Sequence, residues 1–326
     1  MGKIRVGILG AGKIAVRMAE TAGLVEETQA WAVASRSLEK AEAFAAAHGV
    51  SHAYGSYGEM LADPEVDLVY VAVPHSFHYK WTKAALEAGK HVLCEKPFTE
   101  NAAQARELFA LAKEKGLFCG EAMWARFVPG ADVLRGLKEN GTIGKVCSVQ
   151  VSFGEDMWGI ERIWNPALAG GALLDVGVYA IAFATLVLGD KVAQVQSCLD
   201  LSELGVDRQD AILLQMESGE IASLWISCLA KTPVTCTVIG TEGKVFTDNM
   251  WDYSDIRVFA PDGTLREKIE SPVEINGFEY ELRDAVSAIR DGKTEFAKMS
   301  HAETLRVMDM MDAIRARAGM VYPDEQ

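Results

Sequence analysis

Apolar positions follow one rhythm up to about residue 121 and another beyond it. In the first part, short continuous apolar runs at 4–9, 29–34, 68–73, 91–94 and 117–120 read as strands. Stretches of helical period separate them at 13–21, 38–48 and 79–88, and in a helix whose Ala105, Leu108, Phe109 and Ala112 recur at i, i+3, i+4, i+7. A short extended link at 54–57 leads to a turn at Asp63-Pro64. Strands apolar on both faces belong inside a parallel sheet covered by helices, and strand–helix alternation predicts a doubly wound α/β fold over residues 1–121.

Beyond residue 121 the period drops to two. Cys147, Val149, Val151 and Phe153 alternate with Ser148, Gln150 and Ser152. Further strands are expected near 192–199, 211–217, 220–228, 235–239 and 244–247, with tight turns at Ser218-Gly219 and Glu242-Gly243. Residues 127–140 read as one helix, and amphipathic helices at 278–290 and 301–318 end the chain. Residues 122–326 are therefore expected to form an α+β domain with a large, mostly antiparallel sheet. The more polar face of that sheet carries Ser, Thr and Gln rather than Lys and Glu. Such a face is expected to be covered, and a second copy of the chain would cover it, giving a homo-oligomer and most simply a homodimer.

With 326 residues, 49% hydrophobic and 24% charged, the chain is long enough for two domains of ordinary globular composition. Its formal charge of −14 argues against nucleic acid and anionic membrane surfaces, although one local basic pocket can still hold a phosphate ligand. No apolar stretch approaches a membrane span of about 20 residues. Residues 1–5 lead straight into the first strand, so no secretory leader is expected. Cys94, Cys119, Cys147, Cys198, Cys228 and Cys236 show no C-x-x-C spacing, which fits free thiols in a reducing cytoplasm better than disulfides or a metal site.

Chemistry is first legible at Gly10-Ala11-Gly12-Lys13-Ile14-Ala15, directly after the first strand and opening a helix. This is the Gly-x-Gly-x-x-Gly/Ala pattern in its meaningful context. Gly10 allows the tight turn, Gly12 lets the backbone approach a pyrophosphate, and Ala15 permits close helix–strand packing. The second strand ends in Ser35-Arg36-Ser37, with no acid before Glu39. An acid there would bond a ribose 2′-hydroxyl, whereas Arg36 suits a 2′-phosphate, so NADP(H) is the expected cofactor.

Two later strand ends carry Pro74, His75 and His78, and Glu95-Lys96-Pro97. Open parallel sheets bind ligands beyond these carboxyl ends. The charge of Lys96 can steady a developing alkoxide or favour a neighbouring phenolate, and Lys96-Pro97 is a candidate cis bond. In the segment Gly170-Gly171-Ala172-Leu173-Leu174-Asp175-Val176-Gly177-Val178-Tyr179, a helix would put Asp175 and Tyr179 on one face. A carboxylate inside such an apolar segment is either hydrogen-bonded structure or a site group.

Taken in order, the glycine turn, 74–78, Glu95-Lys96-Pro97 and 170–179 resemble the glucose–fructose oxidoreductase/inositol dehydrogenase/rhizopine catabolism (Gfo/Idh/MocA) family over essentially the whole chain. Residues 121–129 and 170–175 are similar to its dimeric dihydrodiol dehydrogenase branch, which also oxidises D-xylose with NADP. The resemblance implies an N-terminal Rossmann domain, a C-terminal open sheet that often pairs subunits, and hydride transfer to or from a sugar, polyol or cyclic diol. It implies Lys96 beside the reacting hydroxyl, Asp175 as its charged partner and Tyr179, where many members have His, as proton donor or acceptor. A tyrosine ordinarily titrates near 10, so it needs such a cation to work as a base near neutrality. Asn165 stands where an Asp-Pro acid is common. Trp124, Arg126, Phe153, Trp158, Arg162 and Trp164 are candidates to line a sugar, and no metal is implied. A keto-sugar reductase and a non-catalytic nucleotide sensor are the competing expectations.

Overall fold

The run Ile4–Leu9 forms β1, and in this computed structural model, which describes residues 2–189 and 191–325, it becomes a central strand of a parallel sheet. The following elements are α1 (Lys13–Leu24), β2 (Thr28–Ala34), α2 (Leu38–His48), β3 (His52–Tyr54), α3 (Tyr57–Ala62), β4 (Leu68–Val71), α4 (His78–Glu87), β5 (His91–Glu95), α5 (Ala102–Lys115) and β6 (Cys119–Ala122). The six strands lie in the order β3-β2-β1-β4-β5-β6 with every pair parallel, so the winding reverses between β1 and β4. That reversal opens the ligand crevice of a doubly wound sheet. Residues Leu68, Val69, Tyr70 and Val71 are fully buried, as two-sided helix cover requires.

Three local expectations change. The link at 54–57 is divided, with Tyr54 ending β3 and Tyr57 opening α3 behind its N-cap Ser56, whose hydroxyl accepts from the Glu59 amide. A three-residue strand is too short to show a period. β4 stops at Val71 rather than residue 73, and β6 occupies Cys119–Ala122 rather than 117–120.

A second compact unit comprises Ala125–Val273 and the residues from Arg306 onward. Its elements begin with α6 (Pro129–Arg135), α7 (Leu137–Asn140), β7 (Val146–Gly154), α8 (Glu161–Trp164) and α9 (Val178–Leu188). Strands β8 (Val192–Leu201), β9 (Asp207–Met216), β10 (Ile221–Ser227), β11 (Thr235–Gly240), β12 (Gly243–Thr247), β13 (Asp255–Phe259) and β14 (Leu265–Glu270) follow. The eight-stranded sheet runs β14-β13-β12-β11-β7-β10-β9-β8, with only β7 and β10 parallel. Ile212, Leu214, Ala222, Leu224 and Ile226 are buried while Leu213, Gln215, Ile221 and Ser223 are exposed, so one face is covered and the other open.

The single helix expected over 127–140 is two, broken at Gly136. β13 and β14 were not expected from the sequence, because β14 is an exposed edge strand of mostly charged residues with no apolar alternation. One helical stretch, Pro166–Leu188, is long and apolar enough to cross a membrane, contrary to the expectation that none approaches that length. Its apolar window is 94% buried inside the protein, and every residue of α9 is buried, so it serves as the core helix under the second sheet.

The chain then returns to the first unit for Glu274–Leu305, which departs from the expected division at residue 121. Here lie α10 (Phe278–Arg290) and the start of α11 (His301–Ala318). Hydrogen bonds fasten this return: Thr21 Oγ1 to Asn276 Oδ1 (2.9 Å), Cys119 N to Thr294 O (3.0 Å) and Thr304 Oγ1 to Glu121 Oε2 (2.9 Å). The Glu279 carboxylate gathers the turn before α10, accepting from the amides of Glu274, Ile275, Asn276 and Gly277. Burial alone would raise its pKa, but backbone donors, those of Ile275, Asn276 and Gly277 among them, hold it below the usual range.

Candidate functional site

In the first unit the glycine turn expected to face a cofactor lies where β1 enters α1. Gly10 has φ +106°, and a Cβ there would lie 2.4 Å from the Ala72 carbonyl oxygen, so the turn requires glycine. Gly12 is the N-cap of α1, with no side-chain cap and no acid in the first turn. A Cβ at Gly12 would meet no protein atom within 4 Å, so packing does not demand glycine there, whereas close approach of a pyrophosphate does. The free amides of Lys13 and Ile14 and the positive end of the helix suit that group. Ala15 is fully buried, Ala11 is half-buried and the Lys13 side chain is exposed.

At the end of β2, Ser35 is buried, Arg36 is exposed and Ser37 caps α2 by accepting from the Lys40 amide. The first acid after this strand is Glu39, inside α2. The residues present therefore fit a dinucleotide with a phosphate on its adenosine ribose.

Pro74 leads into a short turn at His75–Phe77. His78 is 1% exposed, and its Nδ1 and Nε2 lie 2.8 Å from Pro97 O and 2.9 Å from Val73 O. Burial lowers its pKa, so the neutral ring donates to one of these carbonyls and packs its other nitrogen against the second, which seats the start of α4 between the turns after β4 and β5. That seating accounts for His78 without a ligand. His75 is buried, its ring 5.7 Å from that of His78. Lys96 is half-buried and the Lys96-Pro97 bond is cis. Glu95 is buried and accepts from the Tyr70 hydroxyl and the Lys96 amide; burial pushes its carboxyl up, opposed by Tyr70 and the Lys96 charge. Glu281 on α10, unremarked in the sequence because it looks like an ordinary helix-surface acid, is fully buried beside Glu95, Glu121 and Arg17. Neither of its oxygens has a hydrogen-bond partner among the described residues.

The second unit gathers Asp175, Tyr179, Phe153 and Arg162. Instead of a plain α-helix, Leu173–Gly177 is a π-turn that runs directly into α9. Asp175 sits in the π-turn, 4% exposed, and accepts a charged hydrogen bond from Arg162 Nη1, while Tyr179 lies in the first turn of α9. The Phe153 ring, at the end of β7, is 6.5 Å from the Tyr179 ring and 5.4 Å from Trp251. Single π-turns inside helices recur at functional sites, because they re-aim side chains at the expense of regular bonding. Trp158 and Trp164 are half-buried. Asn165, in the place of the expected acid, caps the turn Pro166–Leu168 by accepting from the Ala167 amide.

Two expected substrate residues are accounted for within their own units. Trp124 is 4% exposed, with the Arg17 guanidinium 4.8 Å and the Phe278 ring 5.2 Å from its ring. Arg126 is 3% exposed and donates to Ala182 O and Thr185 Oγ1, both at 3.1 Å. Neither belongs to the substrate set proposed below. Among the described residues no cluster of His, Cys, Asp and Glu could hold a metal, and all six cysteines are free.

Two family models match this chain. Residues 4–122 match an oxidoreductase family with an NAD-binding Rossmann fold, GFO_IDH_MocA, and residues 133–246 match the GFO/IDH/MocA C-terminal domain. The chain belongs to the Gfo/Idh/MocA family. Among family relatives, trans-1,2-dihydrobenzene-1,2-diol dehydrogenase of Danio rerio is 33% identical over 99% of both chains. The same enzyme of Oryctolagus cuniculus is 34% identical over 92% of this chain and 93% of its own. A 3-ketoreductase from Actinomadura kijaniata, solved with NADP and TDP-benzene, superposes with a TM-score of 0.88 at 28% identity, covering 97% of this chain and 98% of that one. An aldose-aldose oxidoreductase from Caulobacter crescentus gives 0.87 at 25% identity, covering 97% and 98%. Membership makes residues 4–122 a nicotinamide dinucleotide-binding Rossmann domain.

Proposed function

We propose that this protein is an NADP-dependent oxidoreductase that moves hydride between the nicotinamide and a carbinol carbon of a sugar, polyol or cyclic diol. The observation that carries the reading is the buried Asp175 in its π-turn, tied to Arg162 and followed one turn later by Tyr179, in a chain that also has a dinucleotide-binding sheet ending in Lys96. The cofactor, when bound, supplies or accepts the hydride. Tyr179 takes the proton from the substrate hydroxyl in oxidation and returns it to the carbonyl oxygen in reduction. Lys96 lowers the cost of the phenolate and the alkoxide, and Asp175, the acid of the set, holds Arg162 one turn before Tyr179. Phe153, Trp158, Arg162 and Trp164 line the sugar or diol. Gly10, Ala11, Gly12, Lys13, Ile14, Ser35, Arg36, Pro74, His75 and Glu95 frame the cofactor, and Arg36 selects the 2′-phosphate. His78 seats the start of α4 as described above.

The likeness to a 3-ketoreductase supports a second reading, reduction of a keto-sugar by NADPH. The assay that separates the two follows reduced-nicotinamide absorbance with NADP and NAD against aldoses, polyols and cyclic diols, and in reverse with NADPH and keto-sugars. Turnover of the wild type, lost in Lys96→Ala and Tyr179→Phe while NADPH still quenches protein fluorescence, is expected. NADPH binding with no turnover in any direction would leave a nucleotide sensor as the reading. A second copy is proposed to cover the open face of the second sheet, where Leu213 and Ile221 are 45% and 48% exposed; light scattering at monomer mass would overturn this.

A further inference from the structure

We propose that Asp207 and Asp210 on β9 form a buried carboxyl pair whose role is to position the π-turn that carries Asp175. The inference rests on the catalytic reading of Asp175 and Tyr179 above. Residues three apart on a regular strand face opposite ways, yet Asp207 is 0% and Asp210 2% exposed. A bulge explains this. Asp200 of β8 pairs with Gln209 and Leu201 pairs with Asp207, so Arg208 is an extra residue that brings Asp207 round to the inward face Asp210 shares with Ile212 and Leu214.

From there Asp207 Oδ2 accepts the amide of Leu173, the residue that opens the π-turn. Gly171, at φ +121°, makes room for it: a Cβ at that position would stand 2.0 Å from Asp207 Oδ1. The second motif glycine is thus required by a carboxylate seated at the start of the helical run, where the helix field favours negative charge.

Asp207 Oδ1 and both Asp210 oxygens have no donor among the described residues, and two ionised carboxylates cannot bond each other. One proton on Asp210 resolves this, since its O–H can donate to Asp207. Burial raises both carboxyls, and the Asp207 charge raises Asp210 further, so Asp210 keeps that proton at neutral pH. The other groups facing the pair do not supply a competing cation. Asp200 and Cys198 approach from β8, with Asp200 paired to Arg208 at 2.8 Å, and Cys228 lies beyond β10. Cys228 itself is faced by Asp207, Asp210, Asp175 and Arg162, and Arg162 is committed to Asp175.

The test compares wild type, Asp210→Asn and Asp210→Ala by amide hydrogen exchange, thermal unfolding across pH, NADPH binding and kinetics with the substrate found above. In Asp210→Ala, faster exchange confined to the segment around residues 172–179 is expected, with kcat lower by about tenfold to a hundredfold and NADPH affinity changed less than about twofold. Asp210→Asn can still donate to Asp207, so it is expected to restore protection and kcat. Because the raised acid of the wild type costs stability as pH rises from the unfolded value towards the folded one, Asp210→Asn is also expected to melt higher than wild type, by a margin that grows with pH. Unchanged exchange around 172–179 in Asp210→Ala, or Asp210→Asn as impaired as Asp210→Ala, overturns the proposal. Failure of the catalytic reading shows separately: Tyr179→Phe would keep full kcat, while the exchange arm still decides the role of the pair. Should Asp210→Ala not fold, the pH-dependent melting of Asp210→Asn decides it, and a margin that does not grow with pH overturns the pair.

Discussion

The two sheets handle polar chemistry in opposite ways. In the parallel sheet the candidate binding groups are mostly backbone: amides at the start of α1, a turn that excludes a Cβ at Gly10, and the turns after β4 and β5, held through carbonyls by His78. Around the antiparallel sheet they are buried side chains: Asp175, Tyr179, Asp207 and Asp210, set in a core whose helix α9 is buried on every side. A backbone site is sensitive to shape and a buried-charge site to protonation. The units should therefore fail differently when perturbed.

The largest expected effect lies in the second core. Phe183→Ala empties a side chain that is 1% exposed and packs 5.8 Å from Tyr253, and should cost about 3–5 kcal/mol in denaturant unfolding. A loss below about 1 kcal/mol would show that α9 is not the centre of that core. Next come the two shape-critical glycines. Gly10→Ala and Gly171→Ala each add a Cβ at a positive φ against an oxygen, and each should cost about 2–4 kcal/mol. Their functional signatures should diverge, since Gly10→Ala removes NADPH binding and Gly171→Ala spares it while removing turnover. Equal loss of nucleotide binding in both would erase the contrast.

Smaller still is Arg36→Ala. It should shift the NADP-to-NAD preference about tenfold, near 1.4 kcal/mol, with no change in melting temperature. Fluorescence titration with both reduced cofactors checks this, and an unmoved ratio removes Arg36 from the 2′-phosphate site. The smallest effect is electrostatic. Burial would raise the Glu220 carboxyl, but hydrogen bonds from Lys138, at 2.8 Å, and from Ser218 outweigh it and hold it at about 2 instead of 4.5. A depressed acid stabilises the fold above its unfolded pKa, so this contribution is complete above pH 4.5 and fades as pH falls towards 2. Lys138→Met should flatten melting temperature against pH in that window, and an unaltered slope would contradict the pairing.

Where signals are local, the sequence is a sufficient guide. Continuous apolar runs, period-two alternation and the Gly10-Ala11-Gly12 turn each lie within one or two elements, and they are enough for a doubly wound sheet followed by an antiparallel one. The order of the glycine turn, Glu95-Lys96-Pro97 and Asp175 to Tyr179 was likewise enough to identify the family. Tertiary structure alone decided four further matters: the return of Glu274–Leu305 to the first unit, the internal packing of Trp124 and Arg126, the π-turn under Asp175, and the meeting of Asp207 with Leu173. Each depends on partners far apart in the chain, or on one extra residue in a strand. Hydrophobic periodicity records only which face of a segment avoids water, so what that face meets, and whether a buried acid finds a donor there, is settled when the segments pack.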